Sequence, residues 1–211
     1  MGLLPLVFTT GWASGVNAYG VVLAMGLLGR LGVVHGAPPQ LEHAPVLVAA
    51  AVMFAIEFVA DKIPYVDSAW DALHTVIRPL LGALVAGLLG HDAAATGNAL
   101  NTSLAAVVGG GTALASHLVK GTLRLAVNTS PEPFSNILMS LAEDFTVILV
   151  VVLAFAHPWV GAGIAAVLLA VGAVIALAVL KLVRRGLRAL RERRRGRKSA
   201  DGTGAVQDAA V

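Results

Sequence analysis

Cysteine is absent from all 211 residues, charged side chains make up only 13% of the chain and aromatic ones 5%. The missing cysteine excludes a disulfide framework, thiolate metal ligands and a cysteine nucleophile. Charge is scarce beside the roughly 25% of an ordinary soluble domain. With 57% apolar residues and a mean hydropathy of +0.83, this excludes a soluble enzyme and a disordered protein. There is neither an H-E-x-x-H zinc motif nor a G-x-S-x-G elbow, so we expect no enzyme, cofactor or metal. The one route left to a metal is a carboxylate and histidine site, should Glu57, Asp61, His74 and His117 meet in space.

What is present is apolar sequence in long charge-free runs, at residues 1–29, 44–56, 79–90, 93–116 and 145–180. A spanning helix needs about 20 such residues. The chain reads as an all-α polytopic membrane bundle of about six spans, near 6–29, 45–61, 72–91, 101–123, 137–156 and 159–181. The first run has no basic stretch ahead of it and no clear cleavage site, and is expected to be a retained span rather than a signal peptide. The last run holds 36 residues, too many for one span, and His157-Pro158-Trp159 supplies a turn with an interfacial aromatic, hence a helical hairpin.

Ten of the fifteen Lys and Arg residues lie between Lys181 and Lys198. The expected organisation is a transmembrane domain at 1–183, a basic juxtamembrane helix at 184–198 lying along anionic lipids, and a disordered tail at 199–211. The positive-inside rule places this end in the cytoplasm. Six crossings would then put the N-terminus there too, with Lys62, Arg78, Lys120 and Arg124 near cytoplasmic loops. A basic run after a span is a routine topology signal, so no nucleic-acid partner is expected. Glycine pairs such as Gly11 and Gly15 suit close helix packing, and the glycine-rich faces of the bundle as a whole suit a homodimer.

Two segments look wrong for plain spans. Residues 79–90 are short and begin with Pro79, so they must recruit the polar stretch before them or stop short. Gly109-Gly110-Gly111 interrupts another run, which fits either close packing or a broken helix around a transport site. One or two short or broken helices are therefore expected.

Ionisable groups inside apolar sequence carry most information, since each costs about 2.5–3.5 kcal/mol at a helix centre on insertion scales. They form stripes. Glu57 and Asp61 are four apart, and Asp67, Asp71, His74 and Arg78 follow at helical spacing on a helix that Pro64 precedes and Ser68 caps, Asp71 completing a capping box. His117, Lys120, Arg124 and Asn128 form a third stripe, Asn136, Ser140 and Glu143 a fourth with Asp144 beside it, and Asn17 lies within the first span. Between Asn128 and Asn136, Ser130-Pro131 reads as a helix start. Acidic and basic stripes on different helices are expected to face one another inside the bundle. The plain structural alternative is an ion-pair network that only fixes helix register, with Asp67 and Asp71 complementing a helix dipole.

Ser14-Gly15-Val16-Asn17-Ala18-Tyr19, the segment from Asp61 to Asp71 with His74-Thr75 and Ile77-Arg78-Pro79, and Ser130-Pro131-Glu132-Pro133-Phe134-Ser135-Asn136 with Glu143-Asp144 resemble a bacterial membrane family catalogued as domain of unknown function 4126. The resemblance spans about residues 10–150. It implies membrane placement, in a bacterial inner membrane, and brings no established activity and no catalytic residues.

Function is accordingly expected in the polar interior: a small transporter or channel for a charged solute. Asn17, Arg78, His117, Lys120, Arg124, Asn128, Ser135 and Asn136 are its candidate binding residues. Glu57, Asp61, Asp67, Asp71, His74, Glu143 and Asp144 are candidate ion or proton partners. The alternatives are a protein that binds or translocates a phosphorylated lipid head group through Arg78, Lys120 and Arg124, and a structural membrane-assembly protein.

Overall fold

The computed structural model describes residues 2–63, 65–95, 101–128 and 133–208. Six α-helices follow in order: α1 (Leu3–Arg30), α2 (Ala44–Ala60), α3 (Val66–Ala95), α4 (Thr102–Val127), α5 (Pro133–Ala156) and α6 (Pro158–Asp208), with a 3-10 turn at Pro39–Glu42 before α2. Five are long and apolar enough to cross a membrane, and α2, with 17 residues, is the shorter apolar helix. Their outward faces carry exposed Leu and Val, among them Leu73, Leu80, Leu84, Val107, Leu114 and Leu118. That surface would be a liability in water and suits lipid. The chain is a multi-pass helical membrane protein.

The centre is α1. In its most apolar stretch 72% of residues are buried, against 17% in α6, which lies on the outside. Small residues bring the backbones together. A Cβ at Gly11 would sit 2.6 Å from Gly109 O, and one at Gly15 would overlap Ser116 and Ala113 O, so α1 and α4 run parallel in close contact. Across the α3–α4 interface Gly82 and Ala86 meet Gly109, and Gly90 meets Ala105. These two helices are antiparallel, with Asp67 of α3 held by Asn128 at the end of α4. Gly109 and Gly110 therefore serve packing, Gly111 meets nothing within 4 Å, and α4 is continuous through all three. Gly11 and Gly15 pack inside the bundle, against Gly109, Ala113 and Ser116.

The broken helix is α1 itself. Asn17 has φ −149° and ψ 95°, which splits α1 into two halves. Pro79 lies inside a continuous α3, which recruits the preceding polar stretch as residues 79–90 required. That helix starts at Val66, ahead of Ser68, so the expected cap moves: the Ser68 amide donates to Asp67 Oδ1 at 2.6 Å. Tyr65 takes a positive φ of 71° in the α2–α3 turn, a conformation that costs a non-glycine residue about 1–2 kcal/mol. Pro64 and Ser130-Pro131 lie outside the described residues, and α5 is helical from Pro133.

The hairpin at His157 is present: α5 ends at Ala156, α6 begins at Pro158, and Trp159 is exposed. Gly2 lies against the Trp159 indole at this turn, which puts the amino end of α1 at the end of the bundle opposite to the one α6 leaves. Five long helices account for this arrangement, and α2 runs antiparallel to the second half of α1, Leu47 near Gly26 and Phe54 near Gly20. Past the membrane α6 continues as helix to Asp208, through residues expected to form a disordered tail. No proline interrupts it, and extending a formed helix costs far less than nucleating one.

Candidate functional site

The break in α1 organises the polar interior. Where a helix ends inside a bundle its last carbonyls lose their partners, and here cations from other helices take them. Arg78 donates to Gly15 O at 3.2 Å and Lys120 to Val16 O at 2.8 Å, while Ser116 donates to Trp12 O at 2.8 Å. On the other side of the break Asn17 acts as an N-cap, its Oδ1 accepting from the Gly20 amide at 2.8 Å. Its Nδ2 donates to Asp144 Oδ1 at 2.8 Å. Negative carbonyl ends thus meet cations, and the positive start of the second half lies beside a carboxylate.

Around this break the stripes converge. Arg78, fully buried, pairs with Glu57 at 2.7 Å and Asp71 at 3.1 Å. Lys120 reaches Asp61 at 3.1 Å, Glu143 at 3.3 Å and Glu57 at 3.8 Å. Arg124 pairs with Asp61 at 2.8 Å and with Glu143, and reaches Asp67 at 3.7 Å. Asn128 donates to Asp67 and Ser68, and Asn136 to Asp61 O at 3.1 Å. Ser135 sits half-buried in the first turn of α5.

Hydrogen-bond geometry fixes the state of His117 and one ring nitrogen of His74. His117 Nδ1 faces the Arg78 guanidinium at 3.0 Å, and a guanidinium can only donate. Nδ1 is therefore an acceptor and His117 is neutral, its Nε2–H directed at Asp71 O at 3.0 Å. His74 donates from Nδ1 to Trp70 O at 2.8 Å and its Nε2 shares a hydrogen bond with the Tyr19 hydroxyl at 3.0 Å, with the Trp70 ring stacked 4.4 Å away. The ring nitrogens that a metal with Glu57 and Asp61 would need are committed elsewhere. Among the described residues no three His, Asp or Glu side chains are arranged to hold a metal ion.

The sequence reading missed several contributors. Lys62, read there as a loop charge, donates to Phe58 O at 2.8 Å and lies 3.3 Å from Ser140 Oγ. Partial burial lowers its pKa from the ordinary lysine value, against the pull of Asp144 and Asp61. Tyr19 and Trp70 clamp His74. The signal for Lys62 was its place next to Asp61; for Tyr19 it was its nearness to Asn17. The acceptors at Gly15 and Val16 are backbone atoms and left no mark in the side-chain pattern.

Six carboxylates, from Glu57, Asp61, Asp67, Asp71, Glu143 and Asp144, meet four cations, Lys62, Arg78, Lys120 and Arg124. Counted formally, with the carboxylates ionised and the histidines uncharged, these groups leave an excess of two acids over cations. Asp144, 8% exposed, has only Asn17 as a partner, and its Oδ2 accepts no hydrogen bond among the described residues. Two cavities touch the network from opposite sides of α4. One of about 300 Å³ reaches Asp71, Thr75 and His117. Another of about 240 Å³ reaches Lys120 and Glu143.

No curated protein and no solved structure matches the chain. Residues 4–180, nearly the whole helical bundle, match the family described as Domain of unknown function (DUF4126), and the chain belongs to that family.

Proposed function

We propose that the protein is a small transporter for a charged solute, balanced by protons taken up on its interior carboxylates. The observation that carries this reading is the charge imbalance: an excess of two buried acids, each costing several kcal/mol when unpaired, beside two cavities and a broken helix. Broken helices whose ends face ions are a recurring construction for membrane transport sites. Asp144 is the proton acceptor of choice, because it lacks a cation partner within 4.0 Å among the described residues. The network between the cavities passes from Asp71 through Arg78, Glu57 and Lys120 to Glu143, each step within 3.8 Å.

The head-group alternative draws less support from this geometry. Arg78, Lys120 and Arg124 are at most 4% exposed and are committed to carboxylates, so they present little to a lipid phosphate. In our reading the bundle sits in a bacterial inner membrane with the basic end of α6 in the cytoplasm against anionic lipids, and the amino end of α1 on the far side. The protein has no catalytic role in this scheme.

The test is flux. Protein reconstituted in liposomes that enclose a pH-sensitive dye should acidify or alkalinise the lumen when a gradient of the transported ion is imposed. Asp144→Asn should remove the proton movement while protein yield stays normal. If neither protons nor organic or inorganic ions move under any imposed gradient, the reading fails.

A further inference from the structure

The cavity of about 240 Å³ is lined by residues of α1, α4, α5 and α6. Its walls are apolar, from Trp12, Val119, Leu123, Met139 and Leu168, and its polar end is formed by Lys120 and Glu143. An apolar chamber with one charged end suits an amphiphile, and its size, just under the roughly 300–1,000 Å³ of drug-sized sites, suits a small one.

The hydrogen bonds decide the sign of the head group. An ammonium has three donors, and those of Lys120 have Val16 O at 2.8 Å, Asp61 at 3.1 Å and Glu143 at 3.3 Å to serve. Lys120 is 4% exposed and keeps no donor for an incoming anion. Glu143 is the most accessible carboxylate in the network, its side chain 14% exposed. Its contacts with Arg124 and Lys120 fall on Oε2, which leaves Oε1 as the acceptor without a partner among the described residues, on a side chain that lines the cavity. The surrounding charge is negative in excess, which favours a cation at this point.

We propose that this cavity is a binding site for a small lipophilic ammonium, its N–H groups on Glu143 Oε1 and its alkyl body against Trp12 and Leu123. The proposal rests on the transport reading above and names the substrate class. Trp12 provides the probe. Full-length protein in nanodiscs of zwitterionic lipid is titrated with octylamine, octanoate and octanol while tryptophan emission is followed, with Trp12→Phe as the control in which the signal must vanish. The expected result is saturable binding of octylammonium at least tenfold tighter than either comparator. Glu143→Gln should weaken it at least tenfold, and Ala142→Leu, which narrows the same cavity and leaves every charge in place, should do likewise.

Equal affinity for the three probes means that the chamber holds lipid tails without regard to charge, and tighter octanoate means that Lys120 governs; either overturns the proposal. So does full affinity in a folded Glu143→Gln protein, and if that variant does not fold, full affinity in Ala142→Leu does so. The binding arm needs no ion gradient, so it separates the two readings. Octylammonium binding in a protein that moves no ion leaves this site standing and defeats transport, whereas ion flux without octylammonium binding defeats this site alone.

Discussion

The pair formed by Arg78 and Glu57 offers the strictest check on the charged interior. Both side chains are fully buried, 2.7 Å apart, so solvent screening does not weaken their interaction. Arg78→Met removes donors from Glu57, Asp71, Gly15 O and His117 together. It leaves Glu57 with Lys120 at 3.8 Å as its nearest cation. Stranding a buried charge in this way costs about 3–5 kcal/mol, whereas replacing both partners by neutral groups is often close to neutral. Against a total stability of about 5–15 kcal/mol the single substitution should remove a large fraction of the folded state. Adding Glu57→Gln to Arg78→Met takes away the stranded charge and should recover about 2 kcal/mol, within the range of coupling energies for contacting residues. The assay is unfolding in mixed micelles by titrated sodium dodecyl sulfate, followed by tryptophan emission, on wild type, both single variants and the double. A loss below about 1 kcal/mol for Arg78→Met, or a double variant that loses the full sum of the singles, would refute the buried-network reasoning.

Asn17→Ala should destabilise by about 2 kcal/mol in the same titration, about 1 kcal/mol for the lost cap and the rest for an Asp144 left without its donor. Asp144→Asn should recover much of the second part, because a neutral amide there needs no charge partner. Substituting Gly15 by Ala should cost about 1–3 kcal/mol by overpacking against Ala113 and Ser116, while Gly111→Ala, which meets nothing within 4 Å, should be neutral or slightly stabilising; equal effects at both sites would overturn the packing account. Truncation after Arg188 should leave the bundle folded and lower the anionic lipid that co-purifies, measured by mass spectrometry, and an unchanged lipid profile would remove the role given to the basic end of α6.

Much of the site was legible because the cost of charge in lipid acts through helical periodicity. Asp67, Asp71, His74 and Arg78 on α3, and His117, Lys120 and Arg124 on α4, had to share faces, and each face had to find the other. The helix break was not legible. Asn17 is an amide in an apolar run, and what splits α1 there includes the capture of two carbonyls by Arg78 and Lys120, 63 and 104 residues away in sequence. Gly109–111 misled for a related reason: glycine permits both a break and a close approach, and only the facing Gly82, Ala86 and Gly11 determine which occurs. Five of the six expected helices are long enough to span, and α2, with 17 residues, sits at the lower length limit for a span. The same burial turned Arg78, Lys120 and Arg124 from topology markers into interior charges, which leaves the run after Lys181 as the positive-inside signal.

The composition of the network argues against a purely register-setting role. Ion pairs that only hold helices in place are best served by neutrality, since each unmatched buried charge subtracts from stability. Here Arg78, Lys120 and Arg124 are each shared among two or more carboxylates, while Asp144 is left to an amide. The break compounds this. A continuous α1 would satisfy Gly15 O and Val16 O internally and free Arg78 and Lys120 to neutralise acids, so breaking the helix draws cation capacity away from the carboxylates. In the proposed transport scheme, with donors committed to backbone carbonyls, the acids left in excess are what would receive positive charge. Protons at Asp144 and an ammonium at Glu143 would restore the balance from the two sides of the break, and the state of one should then alter the affinity for the other.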